Sequence, residues 1–169
     1  MIISIVLLAL IVCGLGYCVY ILFDRTKPNK VSDAFSFRES MDIVELPVIA
    51  MNNNGKRYRF IIDSGANGCH IDSRILDELD IEDTINKSGD SVVAVGSGLM
   101  EASSKTAQIK FSLNNYVFSI PFSVENMSAA FDYIKKSDGM TIHGILGSNF
   151  LRANKWVLDF SEYIAYMKK

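Results

Sequence analysis

The 169-residue chain has three cysteines, and two of them, Cys13 and Cys18, fall within its first 23 residues. Cys69 is left alone in the remainder, so no disulfide framework can staple that part together. His70 and His143 are the only histidines, and with one thiol they are too sparse a set for a structural zinc site. Cys69 and His70 are neighbours on a stretch that reads as a strand, where adjacent side chains point to opposite faces, which argues against a thiol–imidazole pair. There is no basic stripe. With 17 Lys and Arg against 19 Asp and Glu, the formal net charge is −2, which leaves no electrostatic case for a nucleic-acid partner. No internal repeat or low-complexity tract interrupts the text.

Charge is also missing from residues 1–23, and that absence is informative. An uncharged apolar run of this length can cross a hydrocarbon core of about 30 Å as a helix. It has no basic residue ahead of it, exceeds a signal peptide's apolar core of roughly 7–15 residues, and ends in no convincing small-x-small cleavage site. We read it as an uncleaved transmembrane anchor in contact with membrane lipid. Arg25, Lys27 and Lys30 follow directly, and the positive-inside rule then places the rest of the chain in the cytoplasm. Residues 24–40, polar and carrying Pro28, read as a linker able to span on the order of 20–25 Å as a flexible coil.

From Ile43 onward the pattern is that of strands. Residues 43–50 and 56–62 are extended apolar runs on either side of Asn52-Asn53-Asn54-Gly55, a strong hairpin signal. Pro47 marks the first of them as an edge or bulged strand. The second ends in Phe60-Ile61-Ile62-Asp63-Ser64-Gly65-Ala66, which sets a carboxylate at the end of a buried strand, followed by a hydroxyl and a glycine turn. A carboxylate there is costly unless it is hydrogen-bonded or shares its charge. The plainer alternative is a strand ending in an Asp-Ser-Gly turn.

Cys69-His70-Ile71 reads as a short strand, after which Asp72 or Ser73 caps a brief helix reaching Leu79. Residues 91–99 form an apolar run broken by Gly96-Ser97-Gly98. Residues 106–111 follow it as the second arm of a hairpin, and 109–113 with 117–124 form a further strand pair about Asn114-Asn115. A helix over 127–136 shows Ala130, Phe131 and Ile134 at helical spacing and stops at Gly139. Residues 156–160 and 163–166 close the chain as a hairpin. The part after the linker, residues 41–169, is therefore one all-β domain large enough for its own core.

A second stretch, Ile142-His143-Gly144-Ile145-Leu146-Gly147-Ser148-Asn149-Phe150-Leu151, gives the first one meaning. Together they resemble the retropepsin-like aspartic proteases, the family of the retroviral proteases, in a membrane-anchored, bacterial-type form. Asp63-Ser64-Gly65-Ala66 matches the family's Asp-Thr/Ser-Gly-Ala, and Ile145-Leu146-Gly147 matches its later apolar-apolar-Gly run. The resemblance implies a closed, barrel-like acid protease lobe with one or two short helices. It implies Asp63 as the catalytic acid, Ser64 as its hydroxyl brace, Gly65 as a backbone donor and Ala66 on the cleft floor. Ile145, Leu146 and Gly147 would support the catalytic loop from beneath. Val95, Gly96, Ser97 and Gly98 fall where the family has its substrate-covering flap.

Two positions depart from the retroviral pattern. Asn67 stands where those enzymes have a second Asp, and Ser148 where they have an Arg. Those charges pair in the retroviral enzymes, and the loss of both strands neither. The resemblance further implies a peptide substrate, no cofactor or metal, and a homodimer, since one chain supplies one Asp-Ser-Gly. Asp159 is the candidate if the second acid lay within the chain. The competing expectation is an inactive binding or dimerisation module on the same fold; a third, resting on architecture alone, is a sensor domain.

Overall fold

The computed structural model describes residues 33–86, 92–95, 98–101 and 105–168. The expected anchor lies outside the described residues, as does the linker as far as residue 32. Among the described residues no helix is long and apolar enough to cross a membrane.

The domain, Asp33–Lys169, begins earlier than residue 41. A short strand, β1 (Phe35–Ser36), and a helix, α1 (Arg38–Val44), come out of the polar stretch read as linker. Phe35 and Phe37 are the reason, since both are buried in the core. Ile43 and Val44, expected in a strand, end α1 instead. Glu45 then takes a left-handed conformation with φ of 55°, and extended pairing starts only after Pro47. The buried Ser40 hydroxyl fixes this turn: it lies 2.8 Å from the Leu46 carbonyl and accepts the Val48 N–H at 2.9 Å.

From there the sequence pattern and the structure agree closely. Strands β2 (Val48–Asn53) and β3 (Lys56–Asp63) form a hairpin through Asn54 and Gly55, both at positive φ. β4 (Cys69–Asp72) leads into a 3₁₀ turn over Ser73–Glu78, which the Asp72 carboxylate caps by accepting the Arg74 N–H. β5 (Ile81–Asn86) was not legible, having only two apolar residues in six; its pairing with a longer strand holds it. β6 (Val92–Val95) and β7 (Gly98–Glu101) pair as a two-stranded ladder, with Val95 opposite Gly98. Of the four expected flap residues, Gly96 and Ser97 lie outside the described residues. β8 (Lys105–Leu113) and β9 (Tyr116–Glu125) form the longest hairpin. α2 (Ser128–Asp138) ends at Gly139, whose φ of 76° and N–H bond to the Lys135 carbonyl make a left-handed stop. β10 (Gly144–Gly147), α3 (Ser148–Ala153), β11 (Trp156–Asp159) and β12 (Ile164–Met167) complete the domain. Three short α-helices and the 3₁₀ turn are described; α1 and α3 were not among the helical segments expected from the sequence.

Seven strands form the main sheet in the order β2-β3-β10-β4-β9-β8-β5, and a pairing of Asn52 with Ser112 joins β2 back to β8. This contact closes six strands into a barrel, as expected. The buried Asn53 side chain secures the closure, donating to the Asp80 and Lys110 carbonyls and accepting the Asp80 N–H. A separate sheet, β1-β12-β11, leaves β11 at an edge. The barrel is filled by Phe60, Phe111 and Phe122, each fully buried, with ring centroids 4.9–5.8 Å apart. Phe111→Ala should therefore cost about 3–5 kcal/mol of stability, read as a lower urea midpoint with an unchanged slope.

Candidate active site

Alternation along β3 sends Tyr58, Phe60 and Ile62 into the core and leaves Arg59, Ile61 and Asp63 on the other face. β10 runs parallel to β3 with Ile145 beside Ile61, Leu146 beside Ile62 and Gly147 beside Asp63. β10 also runs antiparallel to β4, Ile145 opposite His70, and β4 lies parallel to β9, His70 beside Ser123. One face of four strands thus carries Asp63, Ile145, His70, Ser123 and Glu125, while Leu146, Ile71 and Phe122 fill the core behind.

Asp63 is half-buried at the end of β3. The N–H of Gly65 donates to its Oδ1 at 2.8 Å. A Cβ at Gly65 would sit 3.1 Å from that same oxygen, so glycine is what lets the donor approach. The Ala66 N–H bonds the Asp63 carbonyl at 3.3 Å. Ser64 is exposed, and among the described residues its hydroxyl has no partner. Within one chain the brace on the carboxylate is therefore Gly65, not Ser64.

Beneath this loop the sequence-derived support residues are brought together. Leu146 is fully buried, and Gly147 lies so close to the loop that a Cβ there would be 2.1 Å from the Gly68 carbonyl oxygen. Ser148, noted in the sequence only as a missing arginine, proves to be a loop residue. Its N–H and its Oγ both donate to the Ala66 carbonyl, at 2.7 and 2.9 Å. The next N–H, from Asn149, reaches the Asn67 carbonyl at 3.1 Å. The sequence signal was present, as a serine at the first position of a short helix, where hydroxyls seek nearby carbonyls.

The other reactive groups are placed elsewhere. Cys69 is buried behind the site face, and burial pushes its thiol up to about 11, against the pull of the Gly147 N–H. A thiol so raised is no nucleophile. The His143 Nδ1 accepts the Arg59 N–H at 2.9 Å, and burial lowers its pKa. Among the described residues no three His, Cys, Asp or Glu side chains gather as a metal set. Asp159 braces its own turn, its Oδ1 accepting from the Ser161 hydroxyl and from the N–H groups of Ser161 and Glu162, bonds that lower its pKa.

An outward carboxylate held by a glycine N–H, with an apolar-Gly strand locked beneath it, is an acid positioned for use. The aspartyl protease family model matches residues 49–150, which take in Asp63 and all of β10. The chain belongs to this family. As an aspartyl protease family member it is also similar to several solved structures. The retroviral protease-like domain of Ddi1 from Leishmania major is 15% identical, covers 73% of this chain and 89% of its own, and gives a TM-score of 0.46. For the EIAV protease bound to an inhibitor, the identity is 13%, the coverage 66% and 90%, and the TM-score 0.43. A retropepsin-like aspartic protease from Rickettsia conorii is 15% identical over 78% of this chain and 86% of that one, with a TM-score of 0.42. No curated protein sequence matches.

Loop support divides into a replaceable part and an irreplaceable one. Ser148→Ala removes one of two bonds to a carbonyl that keeps the other, and should cost about 1 kcal/mol. Gly147→Ala must push β10 away from the loop, and should lower the urea midpoint several-fold more than Ser148→Ala does.

Proposed function

We propose that this chain is a retropepsin-like aspartic endopeptidase, active as a homodimer and held at a membrane by residues 1–23. The observation that carries the reading is Asp63 itself, turned away from the core at the end of β3 with the Gly65 N–H on its carboxylate, in a chain of the aspartyl protease family. Peptide hydrolysis by acid groups alone needs two carboxylates within a few ångströms of each other. Such a pair cannot ionise independently, so it keeps one proton between its members. The ionised member takes a proton from the attacking water, while the protonated one donates to the carbonyl oxygen of the scissile bond.

One chain offers one such acid, since Asp159 is committed to its turn. The second is the Asp63 of an identical chain, met across a two-fold axis. Asn67 and Ser148 leave the loop uncharged, so this dimer lacks the ion pair of the retroviral enzymes. Confinement of the anchored chain raises the concentration of one domain seen by another, and this favours pairing at the membrane. The β6–β7 ladder, which sets Val95 opposite Gly98, fits the role of flap. The reading that competes, an inactive module, differs from this one in a single measurement.

Asp63→Asn should abolish cleavage of a peptide library while leaving the thermal midpoint within a few degrees of the parent. Cleavage at the parent rate would remove Asp63 from the mechanism. Activity of the parent should be bell-shaped in pH, as a shared-proton pair requires, and excess Asp63→Asn chain should depress it by forming mixed dimers. Activity per intact chain that resists both dilution and mixing would mean a monomeric catalyst.

The basic residues Arg25, Lys27 and Lys30 place the domain on the cytoplasmic side in this proposal. A protease added outside intact cells should then spare the domain and digest it only after lysis; digestion without lysis would reverse the orientation.

A further inference from the structure

Beside Asp63, the same face carries a second pair of ionisable groups that the hydrolytic chemistry does not use. The Nδ1 of His70 lies 2.9 Å from Oε1 of Glu125, 55 residues away in the chain, and both side chains are about one-fifth exposed. An ionised Glu125 has no proton to give, so the bond requires Nδ1–H on the imidazole. In the neutral ring the remaining nitrogen, Nε2, then presents a bare lone pair, and it has no bond within the chain among the described residues. The ring lies beside the catalytic loop: a Cβ on Gly68 would be 4.0 Å from Nε2, and Gly68 has none.

Register fixes the distance from the chemistry. His70 is two strands across from β3 and two residues along from the Asp63–Gly147 level, which amounts to roughly 12 Å between backbones. An extended peptide rises about 3.3 Å per residue, and both side chains shorten the gap, so a substrate residue two or three positions from the bond at Asp63 meets His70. The charge of the pair decides what it favours there. With Glu125 ionised, His70 and Glu125 together carry −1 when the ring is neutral and zero when it is protonated, and never a positive charge.

We propose that His70, oriented by Glu125, is a specificity residue that selects a lysine or arginine two or three positions from the scissile bond, its Nε2 accepting an N–H from the cation. The inference rests on the proposed function in one respect, that a peptide lies across the face bearing Asp63. The acidic groups on the same face are Glu125 from β9, Asp63 from β3 and Asp72 from β4. Ile145 of β10 adds no charge, and Asp72 is already engaged by Arg74.

The test is binding of an uncleaved peptide series to full-length Asp63→Asn protein, with Lys, Leu or Glu moved through each position. At neutral pH the Lys peptide should bind about tenfold more tightly than its Leu counterpart at one position, with Glu weakest there. That ratio should fall towards one in His70→Leu and in Glu125→Gln. Equal binding of Lys and Leu peptides at every position overturns the proposal, and so does a preference that survives both substitutions. The two readings fail separately. A parent chain that cleaves library peptides without this preference sinks the subsite alone. One that cleaves nothing, while Asp63→Asn binds with the preference, sinks the catalysis alone.

Discussion

A side chain at position 147 would place its Cβ 2.1 Å from the Gly68 carbonyl oxygen and 2.8 Å from that of Ala66, so glycine alone lets the end of β10 come this close to the loop that follows Asp63. Gly147 there stands level with Asp63, and the first N–H groups of α3 reach the Ala66 and Asn67 carbonyls of that loop. The same constraint recurs at the other end of β10. A Cβ on Gly144 would be 2.4 Å from the His70 carbonyl oxygen, where β10 meets β4. Two glycines, at the two ends of a four-residue strand, thus fix the strand between its neighbours. The carboxylate's position follows from backbone contact before any side chain acts on it.

The loop after Asp63 is held without charge. In its place three hydrogen bonds, two from Ser148 and one from Asn149, reach the Ala66 and Asn67 carbonyls. The first N–H groups of a helix have no partner within it, so α3 spends on the loop donors that it would otherwise leave to water. This arrangement is insensitive to salt and to pH, unlike an ion pair. The charged clamp of this fold sits elsewhere. Arg74 bonds the buried Asp72 through Nε and a terminal nitrogen and bonds Asp132 of α2 at 2.8 Å. Burial opposes the Asp72 charge, but the Arg74 guanidinium and N–H outweigh it and hold the pKa below its ordinary value.

What could be read in the sequence divides along physical lines. The Asn54-Gly55 hairpin, the Gly139 stop and the two site motifs were legible because each depends on local backbone geometry or an apolar run. α1 was not, because Ile43 and Val44 have strand-like side chains and the helix is set by the Ser40 hydroxyl meeting Leu46 and Val48. β5 was hidden for the opposite reason: four of its six residues are polar, and the strand exists only through pairing with β8. Phe35 and Phe37 looked like strays in a linker, yet they stack on Trp156 at 5.5 Å and pack against Tyr163 at 6.3 Å, partners more than a hundred residues on. Ser148 was read as a lost charge, and its gain of a loop bond required the fold to be seen. The pairing of His70 with Glu125 has no local signature at all.

Placement of α2 decides which part of the site face stays open. Phe131 of α2 is buried with Val48, Met140 and Ile142, and Ile61, Ile145, Met127 and Ile134 pack around them. The helix therefore covers the apolar side of the face, over β3 and β10, and Arg74 ties it to the end of β4. Ile145 stands between two environments, packed against that cluster and opposite His70 in the β4 ladder. Under the proposed function, a peptide lying past Asp63 would meet an apolar wall on one side and the polar His70–Glu125 pair on the other. Selectivity on such a face would come mainly from the polar side, because an apolar wall distinguishes side chains by size at only about 1–3 kcal/mol per methylene. A built acceptor left unpaired rejects the wrong side chain more strongly. The elaboration between β9 and β10 thus covers the apolar half of the face and leaves the His70–Glu125 half as the part that a peptide bound as proposed would meet.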